Sequence, residues 1–183
     1  MNPTVGAAPA CATPYELFNR ATRAIIYGYQ AAAVQRMLDF DYAAGRDCAS
    51  VACVVNPGRP GYHVCFWGAT PVSLPVYGDL AEAAARHPEA SVLVNFASAR
   101  SAYAVAMEAL AIPQLRVQAI IAEGIPERQA RELALAARAR QVTVIGPATV
   151  GGVKAGAFKI GNSAGTIDNI VQAKLHRPGH VAF

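Results

Sequence analysis

The feature that most constrains this chain is the alternation, from Arg20 onward, of short β-rich runs with longer stretches of helical period. Ala24-Ile25-Ile26-Tyr27 is apolar and stops at Gly28, as a buried strand does. In residues 31–42, Val34, Met37 and Leu38 fall at i, i+3 and i+4 while Gln35, Arg36 and Asp39 take the other face, and Gly45 can end the helix. Residues 51–55 read as a second strand. Asn56-Pro57-Gly58-Arg59-Pro60-Gly61 then forces a tight turn, and residues 62–67 with 71–76 read as a short extended excursion at one sheet edge. Asp79 is a good N-cap for a helix over 80–86, followed by a continuous apolar, central strand over 91–96. Ser98 or Ser101 can cap a helix through Leu110, and residues 117–121 form the fourth strand. Pro126 suits the first turn of a helix whose apolar stripe is Ala130, Leu133, Ala134 and Ala137, and residues 142–145 make the fifth strand.

Strands alternating with crossover helices pair in parallel, with helices on both faces. The expected fold is therefore α/β, a doubly wound, Rossmann-like parallel sheet over residues 20–147. Residues 1–19 read as a flexible leader, and residues 148–183 as a Gly-rich connector running into the start of a further, truncated domain. Ligands of such sheets sit outside the carboxyl ends of the strands, so the segments after Tyr27, Val55, Phe96, Ile121 and Ile145 are the candidates.

Composition narrows the class. In 183 residues, 54% are hydrophobic and 15% charged, which excludes a disordered tail. Apolar runs fall well short of the ~20 residues that cross a bilayer, so no transmembrane helix is expected. Sixteen Lys and Arg against twelve Asp and Glu give +4, scattered without a nucleic-acid arm, which suits a small anionic ligand. Cys11, Cys48, Cys53 and Cys65 form no C-x-x-C pair and read as buried thiols of a reducing compartment, the cytosol. His63, His87, His176 and His180 show no metal spacing, so no metal site is expected.

Three of the candidate loops carry chemistry. Gly28-Tyr29-Gln30-Ala31-Ala32-Ala33 keeps only the first glycine of a dinucleotide fingerprint, and is either an anion site on free helix amides or an ordinary turn. After the second strand, where NAD proteins place an acidic residue, stands Asn56-Pro57-Gly58-Arg59. A cation there fits an extra ribose phosphate, that of NADP or coenzyme A, or it is a solvated turn arginine. Glu123, directly after the fourth strand, either meets a ligand or favours the start of the next helix.

Several stretches then resemble one family: residues 34–42 (VQRMLDFDY), Asn95-Phe96-Ala97-Ser98, Ala122-Glu123-Gly124-Ile125-Pro126-Glu127, and Ile145-Gly146-Pro147-Ala148-Thr149-Val150-Gly151-Gly152. With Phe158-Lys159-Ile160-Gly161-Asn162 and Arg177-Pro178-Gly179, they resemble ATP-citrate lyases of the two-subunit, plant and algal type. The resemblance implies the coenzyme A-binding domain shared with the α subunit of succinyl-CoA synthetase, and favours coenzyme A over NADP. It implies cofactor contacts from Gly28, Gln30, Ala31 and Val34, from Pro57 and Arg59, from Phe96, Ala97 and Ser98, and from Ile121 and Ala122. It further implies an enzyme that makes acetyl-CoA and oxaloacetate from citrate, coenzyme A and ATP through phosphohistidine, citryl phosphate and citryl-CoA, with Glu123 catalytic beside the phosphohistidine. ATP and Mg would be held by an ATP-grasp subunit in a hetero-oligomer, so this chain is expected to be inactive alone. The alternative is a free-standing coenzyme A-binding module without catalysis.

Overall fold

The computed structural model describes residues 17–179. Strand β1 (Arg23–Tyr27) leads into helix α1 (Ala31–Ala43) and strand β2 (Val51–Val55). A hairpin follows, β3 (Gly61–Trp67) and β4 (Thr70–Tyr77), then α2 (Leu80–Arg86), β5 (Ala90–Asn95) and α3 (Ala102–Ala109). β6 (Val117–Ile120), α4 (Glu127–Ala139) and β7 (Thr143–Ile145) complete the alternation. Beyond it come a second hairpin, β8 (Gly152–Lys154) with β9 (Phe158–Ile160), and α5 (Ile167–Gln172).

The sheet runs β3-β4-β2-β1-β5-β6-β7. It is parallel throughout except for β3, which pairs antiparallel with β4. The five expected strands thus become seven, because the excursion after the Pro-Gly turn pairs with β2 and extends the sheet instead of only covering its edge. Pro71 and Pro75 are tolerated in β4 because its register with β2 covers only Val76 and Tyr77; the stretch holding the prolines pairs with β3.

Side chains alternate across the sheet, so β1 feeds two cores. Ile25 packs with Leu80, Ala83, Val105, Ala106, Leu133 and Ala137 from α2, α3 and α4. Ala24 and Ile26 pack on the other side with Val34, Met37 and Leu38 of α1 and with Phe158 and Ile160 of β9. Asp79 caps α2 as expected, its carboxylate accepting from the Glu82 amide at 2.8 Å. Two expectations change. Ala134 is exposed and Leu135 is 71% exposed, so α4 buries only Leu133 and Ala137 fully. Of the cysteines, Cys53 and Cys65 are buried but Cys48 is exposed, while Cys11 and His180 lie outside the described residues.

The face that carries α1 also holds buried cations. Arg46 is buried against Asp41, with Nε 3.3 Å from Oδ1, and its guanidinium donates to the carbonyls of Thr22 (2.7 Å), Cys48 (3.3 Å) and Ala157. Asp41 in turn accepts from the Ser50 amide at 2.6 Å; burial still outweighs these partners and pushes its carboxyl up to about 6. Lys159 of β9 is fully buried and donates to the Gly161 carbonyl. Burial, helped by Arg36, pushes its ammonium down to about 8, with Asp39 and Asp41 opposing. A depressed lysine binds fewer protons folded than unfolded between that value and its ordinary one, so stability rises with pH there. Wild-type stability should therefore gain on that of Lys159→Met as pH rises from 8 to 10; denaturant titrations giving a constant difference would show Lys159 to titrate normally.

Candidate functional site

The five loops expected to meet a ligand leave the carboxyl edge of the parallel strands, as does the short turn after β4, and main-chain bonds fix their starting level. The Gly28 amide donates to Val55 (2.8 Å), the Phe96 amide to Tyr27 (2.8 Å), the Asn56 amide to Tyr77 (2.8 Å) and the Ile121 amide to Asn95 (3.0 Å). The Ala148 amide closes the row on the Ala122 carbonyl at 3.0 Å. Each loop therefore begins where its neighbour does.

The first and third loops touch. Gly28 has φ +93°, and a Cβ there would lie 3.0 Å from the Phe96 carbonyl oxygen, so the position demands glycine on both counts. α1 then begins without a side-chain cap: Gln30 makes no capping bond, and the first turn holds no acidic residue. Its leading residues, Ala31 and Ala32, are exposed and small, so unsatisfied amides and the positive end of a 13-residue helix face the ligand edge. This arrangement fits a diphosphate. Val34 does not share in it. Its side chain is buried in the core and its amide donates to the Gln30 carbonyl at 3.0 Å, because the helical period turns this position inward.

In the second loop Pro57 and Arg59 are exposed. The guanidinium of Arg59 has no hydrogen bond or ion pair among the described residues, so an anion would meet an uncommitted cation. In the third loop Ser98 is exposed, its hydroxyl 3.1 Å from that of Ser101, and Phe96 is half-buried. Ala97 packs inward with the α2–α4 core. Ser101 is the N-cap of α3 but makes no side-chain capping bond, since its hydroxyl turns to Ser98 instead. Ile121 and Ala122 are half-buried, and Glu123 is exposed. The N-cap of α4 is Pro126, and the acidic residue of its first turn is Glu127, ion-paired to Arg131 at 2.6 Å. Glu123 stands ahead of that turn, and its exposed carboxylate has no hydrogen bond or ion pair among the described residues.

Several residues beyond the expected set shape or offer chemistry to the edge. Asn95 is fully buried; its Oδ1 accepts from the Ala97 amide at 3.0 Å and its Nδ2 donates to the Ala102 carbonyl at 3.0 Å, tying the third loop to α3. A polar residue closing an apolar strand was the available signal. Arg100, on the third loop, is a second exposed guanidinium beside that of Arg59 on the second. Gly161, following β9, would place a Cβ 3.3 Å from the Phe96 ring and 4.0 Å from Ile121 Cδ1. The segment after residue 147 thus backs the third and fourth loops. Among the described residues no cluster of His, Cys, Asp and Glu could hold a metal ion, and no helix is long and apolar enough to cross a membrane.

Removing the Asn95 amide orphans a buried donor and a buried acceptor, each costing about 1–3 kcal/mol. Asn95→Leu should lower unfolding free energy by about 2 kcal/mol or more and speed hydrogen exchange at the Ala97 amide, where Asn95→Asp should spare that amide.

Comparison with known proteins bears on the same edge. The family described as the CoA binding domain matches residues 19–124, and so spans the first four loops. The probable ATP-citrate synthase subunit 1 of Schizosaccharomyces pombe is 54% identical over 170 residues, 92% of this chain and 28% of that protein. The ATP-citrate synthase beta chain protein 2 of Arabidopsis thaliana is 54% identical over 168 residues, again 92% and 28%. Among solved structures, the ATP citrate lyase of Methanothrix soehngenii in complex with citrate and coenzyme A superposes with a TM-score of 0.89 at 55% identity, covering 90% of this chain and 27% of that one. The chain thus spans little more than a quarter of these relatives. The fold, the matched residues and this identity agree: the chain belongs to the CoA binding domain family and corresponds to that module in ATP-citrate synthases.

Proposed function

We propose that this chain is the coenzyme A-binding module of an ATP-citrate synthase, an enzyme that forms acetyl-CoA and oxaloacetate from citrate, coenzyme A and ATP. The observation that carries the reading is the uncapped N-terminus of α1, opening onto the carboxyl edge beside the exposed, unpaired Arg59. Two kinds of anion site on one edge suit a ligand with a diphosphate and a separate ribose phosphate. Coenzyme A has both, and its thiol supplies the acceptor for the acyl group. In this reading Gln30 and Ala31 present the helix amides, Arg59 pairs with the 3′-phosphate, and Phe96, Ser98 and Ile121 line the path of the pantetheine arm.

Glu123 has a separate task. A carboxylate standing free at the edge can accept an N–H from an imidazole and hold its ring and tautomer, which is the role proposed for it toward a histidine that carries phosphate elsewhere in the enzyme. ATP, Mg and citrate are bound by parts outside this chain, with an ATP-grasp subunit as partner in a hetero-oligomer. We place the enzyme in the cytosol, where its acetyl-CoA supplies lipid biosynthesis.

A charge-assisted bond contributes about 1.5–3 kcal/mol, so Arg59→Ala should weaken coenzyme A roughly ten- to a hundredfold in calorimetry while leaving the unfolding midpoint in place. The loss should shrink toward nothing when dephospho-coenzyme A is the ligand. Equal binding by Arg59→Ala and wild type at low ionic strength would return this residue to the solvated surface.

A further inference from the structure

Lys159 is the middle residue of β9 and has no exposure at all, between Phe158 and Ile160, which are buried in the core on the α1 side of the sheet. Its ammonium donates to the Gly161 carbonyl, and among the described residues no carboxylate forms an ion pair with it. The charges that reach it from α1 and the residues around it are mixed: Arg36 opposes the cation, Asp39 and Asp41 favour it, and burial outweighs them. An unpaired ammonium inside an apolar core costs stability that a methionine of similar shape would not. Stability therefore does not account for a lysine here.

What the lysine holds is the turn after β9, and that turn touches three of the five ligand loops. Gly161 has φ +61°, and a Cβ there would lie 3.3 Å from the Phe96 ring, 4.0 Å from Ile121 Cδ1 and 3.9 Å from the Val150 carbonyl oxygen. The fifth loop closes on the same strand end, where Gly151 leaves no room for a Cβ against the Ile160 carbonyl. Ser163 tightens the turn, its hydroxyl 2.8 Å from the Ile160 carbonyl oxygen and 3.0 Å from that of Gly152. Arg36 of α1 donates to Asn162 Oδ1 at 3.1 Å. Phe96 is thus approached from two sides, its main chain by Gly28 of the first loop and its ring by Gly161.

We infer that Lys159 is a positioning residue for the ligand edge: by fixing the Gly161 carbonyl it sets where the Phe96 ring and the Ile121 side chain stand. The inference rests on the coenzyme A reading, in which those two side chains line the path of the pantetheine arm. Lys159 is sealed from solvent and meets no ligand itself, so it acts through the turn. A half-buried ring follows the surface it rests against, and a shift of the Gly161 peptide passes to Phe96 and from there to the arm. Holding the ring before the ligand arrives lowers the freedom lost on binding. The α1 amides and Arg59 belong to other loops, so the nucleotide end of the ligand does not feel the change.

Calorimetry on the full chain tests this with three probes: coenzyme A, 4′-phosphopantetheine and adenosine 3′,5′-bisphosphate. Lys159→Met removes the donor and keeps most of the volume. It should weaken coenzyme A and phosphopantetheine about two- to tenfold, the range one hydrogen bond supplies, and leave adenosine bisphosphate unchanged. Gly161→Ala pushes on the Phe96 ring directly and should give the same split. Because both changes act at one contact, the double variant should lose less than the product of the two single losses. Coenzyme A bound by Lys159→Met as tightly as by wild type overturns the inference, and so does equal weakening of all three probes, which marks a general loosening of the edge. Single losses that simply multiply in the double variant overturn it as well, since the two residues then act apart. Wild type that binds none of the probes overturns instead the coenzyme A reading beneath it.

Discussion

β1 is hydrogen-bonded on both sides, to β2 and to β5, and its side chains enter both cores. A strand so enclosed has no free choice of level. Once Ile25, Ile26 and Tyr27 pair with Cys53, Val54 and Val55 on one side and with Leu93, Val94 and Asn95 on the other, three loops leave the sheet in line. Parallel pairing then sends the helical connections over a face, and the carboxyl edge is left to the loops. The close approach of Gly28 to Phe96 follows from this register, as does the delivery of the α1 N-terminus to the same edge.

A second layer of order comes from cations that bond to backbone. Arg20 donates to the carbonyls of Ala44 (2.8 Å) and Gly156 (3.1 Å), Lys154 to that of Phe18 (2.6 Å), and Arg46 to those of Thr22, Cys48 and Ala157. Together they fasten the chain ahead of β1, the end of α1 and the β8–β9 hairpin into one body. Arg36 adds a tie from α1 to Asn162 Oδ1 at 3.1 Å, next to the Gly161 that faces Phe96. Arg46 is the buried one among them, and burying its charge is costly, so it specifies which segment docks where more than it adds net stability. Their effect on function is indirect: they hold the segment after β7 against the third and fourth ligand loops.

Much of this was legible in the sequence, for identifiable reasons. Apolar runs bounded by Gly, Pro or Asp marked β1, β2 and α2 nearly to the residue, because a fully buried strand and a capped helix each leave a local pattern. Gly28, Arg59 and Glu123 could be placed at the ligand edge once the strand order of a parallel fold was assumed. What could not be read depended on distant contacts. The hairpin's pairing with β2, the inward turn of Val34, the exposure of Ala134 and the two bonds of Asn95 are set by packing that no local window contains. The net charge of +4 suggested an anionic ligand, yet Arg46 and Lys159 lie fully inside and bond to carbonyls. Only the exposed cations, among them Arg59 and Arg100, are left at the surface where an anion could meet them.

The central claim is that one edge of the sheet, assembled from loops of separate strands, receives coenzyme A. Amide hydrogen exchange of the full chain with and without coenzyme A tests it most directly. Binding should slow exchange together in residues 28–33, 56–60, 96–101 and 121–124, and leave the C-terminal turns of α4 and the amino ends of the strands unchanged. Protection confined to the opposite edge, or none at saturating coenzyme A, would contradict the account.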